Sequence, residues 1–210
     1  MSTLFHLVRH ADHGHVGKML TGRAPGVPLS PTGRAEAARL ARAMGARRLD
    51  ALFSSPRRRA RETAEAIAAR SGLLPRIAPA LDEIDFGDWT GRTFEVLAAD
   101  PAWERWNACR DSAATPAGET MADVAARFAG LVEDLCAGFP GGTVVMVSHG
   151  DVIKAALCHY GGRPIHEIHD FDVASASVST IAVDRHGGRV VAVNERPWER
   201  CWQSVAEAIP

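Results

Sequence analysis

Two apolar runs that each end in a histidine decide the fold: Leu7-Val8-Arg9-His10 near the N-terminus and Val144-Val145-Met146-Val147-Ser148-His149-Gly150 in the second half. Both read as buried strands running out into polar residues. In an open α/β sheet, the side chains just past the C-terminal ends of strands line the crevice where ligands bind. The two segments therefore predict one site assembled from distant parts of the chain. Arg9 adds a permanently charged fork that matches phosphate oxygens, so histidine, arginine and strand ends together point to phosphoryl chemistry.

Working outward, Leu4 to Val8 is the first strand and a glycine-rich loop follows from Ala11 through Gly26. Ser30 and Pro31 suit the N-cap and first position of a helix whose apolar side is Ala37, Leu40, Ala41 and Met44, with Gly45 as its stop. Leu49 to Phe53 is a second strand, and Pro56 to Arg70 a helix with Ala60, Thr63, Ala64 and Ile67 on one side. Ile77 to Glu83 is expected to be extended and Ile84 to Gly91 a loop. Thr93 to Thr115 holds short helices carrying Trp103 and Trp106. Val124, Phe128, Leu131, Val132 and Leu135 form a continuous helical stripe, and a helix from Asp151 to Tyr160 follows the strand that ends at Val147. Residues 176 to 183 and 189 to 194 are strands around a His186-Gly187-Gly188 hairpin turn. Alternating strands and helices imply an α/β fold of three layers, α/β/α, with a mainly parallel central sheet and an antiparallel edge. One domain spanning 1–210 is expected, with 92–118 as a variable segment near the active site.

Bulk properties narrow the partners. Lys plus Arg number 24 against 25 Asp plus Glu in 210 residues, so no global field favours nucleic acid or an anionic membrane. No apolar run reaches the ~20 residues of a bilayer span. Cys109, Cys136, Cys158 and Cys201 show no paired spacing and read as free thiols of a cytoplasmic protein.

Phosphoryl transfer to histidine needs an imidazole nucleophile, cations for the phosphoryl oxygens and an acid for the leaving oxygen. His10 is the candidate nucleophile and Arg9 the adjacent cation. A second cation is offered by Arg57-Arg58-Arg59 at a helix start, where anions are already favoured; physics alone leaves open which. The acid lies among Asp82, Glu83, Asp85 and Asp88, again without a choice from spacing.

These pieces resemble the histidine phosphatase superfamily, in its phosphoglycerate-mutase-like branch. Its opening Leu-Val-Arg-His-Gly corresponds to Leu7-Val8-Arg9-His10-Ala11, and its Pro-Leu-Thr-x-x-Gly to Pro28 through Gly33. Its Ser-Ser-x-x-x-Arg-Ala-x-x-Thr-Ala is matched by Ser54-Ser55, Arg59-Ala60 and Thr63-Ala64. Leu81, Glu83, Phe86, Gly87, Trp89 and Gly91 match the Leu-x-Glu-x-x-Phe-Gly-x-Trp-x-Gly element, and Ser148-His149-Gly150 the Ser-His-Gly motif. The matches run in family order from residue 4 to about 160. The resemblance implies a metal-free phosphomonoesterase that needs no cofactor and acts on a small phosphorylated metabolite through phospho-His10. It selects Arg59 as the second cation and Glu83 as acid and then base. Arg9, Arg59 and His149 would hold the phosphoryl oxygens, the arginines and two imidazoles supplying the positive charge, with Gly22, His13 and Gly150 at the substrate. A phosphoglycerate-type mutase is the nearest alternative; the chain lacks the mutases' extra basic constellation between Gly91 and Glu119, which favours hydrolysis. A non-catalytic phosphate-sensing protein is the alternative from another class. Oligomeric state is left open.

Departures from the family pattern are Ala11 for glycine, Asp12-His13, Val16 where asparagine is common, and Asp151 after Ser-His-Gly. His6 is read as a packed histidine, His15 as exposed, and His166 and His169 as loop residues. The His6, His10, His13 and His15 group lacks an established metal-ligand spacing, and Arg9 would repel a cation. Trp103 and Trp106 face the core of their helix or wall the substrate pocket. Arg57, Arg58, Arg92, Arg105 and Arg110 are solvated by default.

Overall fold

A computed structural model describes residues 1–170 and 172–199. Six strands form one sheet: β1 (Thr3–Arg9), β2 (Ala51–Ser54), β3 (Arg76–Ile77), β4 (Thr143–Ser148), β5 (Val178–Asp184) and β6 (Gly187–Glu195), in the order β3-β2-β4-β1-β5-β6. The first four in that order are parallel, while β5 and β6 run antiparallel at one edge. The helices are α1 (Pro31–Gly45), α2 (Arg58–Ser71), α3 (Phe94–Ala98), α4 (Pro101–Ala108), α5 (Met121–Gly138) and α6 (Gly150–Gly161). Among the described residues, no helix is long and apolar enough to cross a membrane.

The period-2 alternation of the strands divides the core into two layers. Phe5 and Leu7 of β1, with Val144 and Met146 of β4, pack on one face against α5, α6 and the α3–α4 segment. Val8, Val145 and Val147 point to the other, where α1 and α2 cover them through Leu40, Met44, Ala64 and Ile67. This is the expected three-layer sandwich. His6 is buried on the α1–α2 side with its Nδ1 3.0 Å from the Thr180 hydroxyl, a packed histidine as expected.

Local chemistry sets the helix ends. Ser30 Oγ accepts from the Gly33 amide at 2.9 Å, with Pro31 in the first turn. Gly33 itself lets α1 lie on the 11–26 loop, since a Cβ there would stand 1.8 Å from the Asp12 carbonyl oxygen. Gly45 does end α1, but the cap is Ala46 in a right-handed conformation. What Gly45 provides is a close approach to α2, because its Cβ would meet that of Arg70 at 2.8 Å.

Two local expectations are corrected. Ile77 to Glu83 is not extended throughout: after the two residues of β3 the chain tightens into a 3₁₀ turn at Pro79–Leu81, which Pro79 favours with its fixed φ. The last hairpin turns at Arg185-His186, and Asp184 pairs with Gly187; His186 thus belongs to the turn, but Gly187 and Gly188 open β6. Cys109, Cys136 and Cys158 are free thiols, while Cys201 lies outside the described residues.

Candidate active site

Sheet register builds the site. Arg9 pairs with Ser148 across β1 and β4, and Ser54 with Val147 across β2 and β4. The next residues, His10, His149 and Ser55, therefore emerge side by side at the C-terminal edge of three adjacent parallel strands. The two histidines that opened the sequence reading lie with ring centroids 5.1 Å apart, nearly edge to face. Three of the predicted cations and bases share this spot: Arg59, in the first turn of α2, donates from Nε to His10 Nε2 at 3.1 Å and from Nη2 to His149 Nδ1 at 3.1 Å.

The partners assign the protons. His10 Nδ1 lies 2.9 Å from the Ala11 carbonyl, which can only accept, so Nδ1 carries the hydrogen and Nε2 keeps a lone pair. Burial, then Arg59 and Arg9, holds the His10 pKa well below 6.5, and burial and Arg59 do the same to His149. His149 receives Arg59 at Nδ1 and gives its Nε2 hydrogen to Ser55 Oγ at 2.7 Å, and Ser55 donates on to Asp82 at 3.3 Å. Both imidazoles are thus neutral here. With both imidazoles neutral, the positive charge at the site in this structure is that of Arg9 and Arg59.

Those arginines are held with donors to spare. Arg9 reaches the Val173 carbonyl through Nη1, while its Nε is buried without a partner. Arg59 anchors Nη2 on the Gly22 carbonyl at 2.8 Å, and its Nη1 is likewise buried and unpartnered. Leaving a buried, charged donor unsatisfied is costly, and two of them at a strand-end cleft describe an anion site. The first turn of α6 begins at Gly150 with no side-chain cap on His149, adding uncapped amides of the kind that attract phosphate. Thr63 completes the frame, accepting from the Ala11 amide at 3.1 Å and donating to the Arg59 carbonyl at 2.8 Å.

Glu83 stands across the cleft, its Oε2 3.7 Å from Arg59 Nη2 and 3.6 Å from His149 Nδ1. Burial raises its pKa from 4.5 to about 7 against the pull of Arg59, and the charge on Asp151 adds to the rise. Of the four carboxylates in that segment, it is the one lining the cleft. Asp82 is tied to Arg57 at 2.9 Å and Asp85 to Arg23 at 3.0 Å. The cleft, about 180 Å³, is lined by Arg9, His10, His13, Gly22, Glu83 and Gly150, all foreseen, and also by Asp151 and Lys154.

His13 is buried, its pKa pushed down to about 4 by burial and then Arg59, whereas His15 is exposed. Phe86 and Phe94 form the apolar wall. Trp103 and Trp106 do not wall the cleft; they stack behind Phe86 at 6.5 and 5.5 Å between centroids. Arg110 is no solvated residue: it is 6% exposed, lies 3.7 Å above the Trp106 ring and faces Asp151 at 3.3 Å. Nor is Arg57 a plain surface charge, since it spans Asp82 and the Arg23 carbonyl. Sequence reasoning missed Ser55 and Thr63 as orienting groups although both stand in the quoted motifs, Arg57 was offered only as one of three candidate cations, and Arg23 and Lys154 carried no signal. Among the described residues, no group of three or more His, Cys, Asp and Glu side chains is arranged to hold a metal ion.

The model of the histidine phosphatase superfamily (branch 1) matches residues 5–196. A glucosyl-3-phosphoglycerate phosphatase of Mycobacterium tuberculosis is 36% identical over 159 residues, 71% of each chain. Phosphoserine phosphatase 1 of Hydrogenobacter thermophilus is 30% identical over 192 residues, 90% of each chain. The solved structure of a mycobacterial glucosyl-3-phosphoglycerate phosphatase superposes with a TM-score of 0.83 at 28% identity, covering 92% of this chain and 99% of that one. This chain belongs to branch 1 of the histidine phosphatase superfamily and is a phosphatase.

Proposed function

We propose that the chain hydrolyses a small phosphomonoester in two steps through a phosphohistidine on His10, without a metal. The observation that carries this reading is the pairing around His10: Nδ1 is committed to Ala11, and Nε2 presents its lone pair beside Arg59. In the first step Nε2 attacks phosphorus, the bond from phosphorus to the ester oxygen breaks, and Glu83 gives that oxygen its proton. In the second, the Glu83 carboxylate takes a proton from water as the oxygen attacks phosphorus, and the N–P bond returns its pair to Nε2. A pKa of about 7 suits one carboxyl to both duties near neutral pH.

Arg9 and Arg59 supply the fixed positive charge for the phosphoryl oxygens. A phosphate dianion beside His149 raises the basicity of its Nδ1, so the neutral imidazole becomes a donor when substrate arrives. The leaving group then meets a lining that combines Val16, Met19, Leu20, Phe86 and Phe94 with the charged Asp151 and Lys154. That mixture suits a small polar metabolite, in keeping with relatives named for phosphoserine and glucosyl-3-phosphoglycerate.

Rapid quench with labelled substrate tests the nucleophile. Wild type should yield an acid-labile, base-stable phosphoenzyme and His10→Ala none; label on His10→Ala would sink the assignment. A panel of phosphomonoesters, run with and without bisphosphoglycerate, should show release of inorganic phosphate independent of the bisphosphate, and transfer that required it would favour a mutase.

A further inference from the structure

We propose that Arg23 is a positioning residue for proton transfer, gripping the chain on both sides of Glu83 and setting the distance between the acid and the phosphate-binding Arg59. The proposal rests on Glu83 being the acid. The Arg23 guanidinium donates from Nε to the Glu83 carbonyl at 2.7 Å, from Nη1 to Asp85 Oδ2 at 3.0 Å and from Nη2 to Glu119 Oε2 at 3.1 Å. Its Nε also lies 3.6 Å from Asp82 Oδ2. One planar group therefore holds residues 82, 83 and 85 at once. Glu119 closes the loop by accepting from the Asp85 amide at 2.6 Å and from Arg127 Nε at 3.0 Å.

The main chain beside Arg23 faces the other half of the site. The carbonyl of Gly22 receives Arg59 Nη2, and that of Arg23 receives Arg57 Nη1 at 2.7 Å. Gly22 cannot shift or be replaced freely: its φ is +46°, and a Cβ would stand 2.8 Å from Thr90 Oγ1. The Gly22-Arg23 dipeptide thus orients the phosphate cation with its backbone and the acid's backbone with its side chain. No group in this grip touches the reacting atoms, so its effect must pass through the placement of Glu83. Proton transfer requires heavy atoms within about 2.6 to 3.2 Å, and the 3.7 Å between Arg59 Nη2 and Glu83 Oε2 shows how closely the two halves are set. A lysine at 23 would keep the charge but not the fork geometry needed to hold three acceptors.

The test compares an alkyl phosphate, whose leaving oxygen needs a proton, with p-nitrophenyl phosphate, whose leaving group does not. A displacement of ~1 Å typically costs about 10² in rate, so Arg23→Ala should lower kcat about 10- to 100-fold on the alkyl ester and less than about threefold on the aryl ester. KM should change little for either. Arg23→Lys should not recover the alkyl rate, and in a Glu83→Gln background Arg23→Ala should cost nothing further. Equal losses on both esters, additive losses in the double variant, or full recovery with lysine would overturn the proposal. Should Arg23→Ala fail to fold, Glu119→Ala removes one of the three anchors and must give the same selective loss on the alkyl ester; an unselective loss there would overturn it too. If Glu83→Gln by itself harmed both esters equally, the acid assignment would fail instead, and the two failures are distinguishable.

Discussion

Replacing Glu83 by glutamine should make the protein more stable at alkaline pH while disabling it. The carboxyl's pKa rises from 4.5 to about 7 in the fold, chiefly because burial penalises its ionised form. Its folded pKa therefore exceeds its unfolded value, and between those two pH values the fold binds more protons than the unfolded chain. Stability must then fall as pH rises through that window, and at 1.36 kcal/mol per pH unit the loss is about 3 kcal/mol. The side chain is 13% exposed, so little of that is screened by solvent. Glutamine carries no charge at any pH and should escape the loss. Urea unfolding of both proteins at about pH 4.5 and about pH 8.5 isolates the effect, because every other titrating group is shared. The gap between variant and wild type should widen by about 3 kcal/mol in favour of glutamine, or about 6 to 12 °C in Tm for a chain of this size. A gap that stayed constant, or that moved against glutamine at high pH, would refute the claim that this carboxyl is held in an environment hostile to its charge.

Asp151→Asn removes a charge that helps to raise the Glu83 pKa, so the alkaline limb of kcat/KM for an alkyl phosphate should move to lower pH; an unmoved or more alkaline limb would contradict the coupling. Since Arg9 and Arg59 provide the positive charge, EDTA should leave p-nitrophenyl phosphate hydrolysis intact and vanadate should inhibit it, whereas activity lost to EDTA and restored by zinc or magnesium would exclude this mechanism. Gly33→Ala would press a methyl into the Asp12 carbonyl and should lower stability by about 2 to 3 kcal/mol, measured by thermal melting; a variant as stable as wild type would mean that α1 and the 11–26 loop can separate without cost.

By itself the sequence determined the architecture, because the signals involved are local. Apolar runs ending at His10 and His149, the Ser30-Pro31 helix start and the stripe from Val124 to Leu135 depend on period and capping, which neighbouring residues settle. The choice of Arg59 among three arginines and Glu83 among four carboxylates came from the resemblance to the histidine phosphatase motifs, since spacing and local physics left both open. Where local rules compete, the reading slipped, as at Pro79–Leu81 and in the Arg185-His186 turn. Only the tertiary structure decided the charge states and the supporting contacts. Whether an imidazole is neutral, or a carboxyl titrates near 7, depends on how much water the packed chain excludes and which charges it brings within a few ångströms. The same holds for Arg110, drawn from presumed solvent onto Trp106 and Asp151, and for Arg23, whose acceptors come from segments 60 and more residues away. Such partners meet because the sheet register and the loops beyond it bring them together, and no spacing along the chain records that meeting.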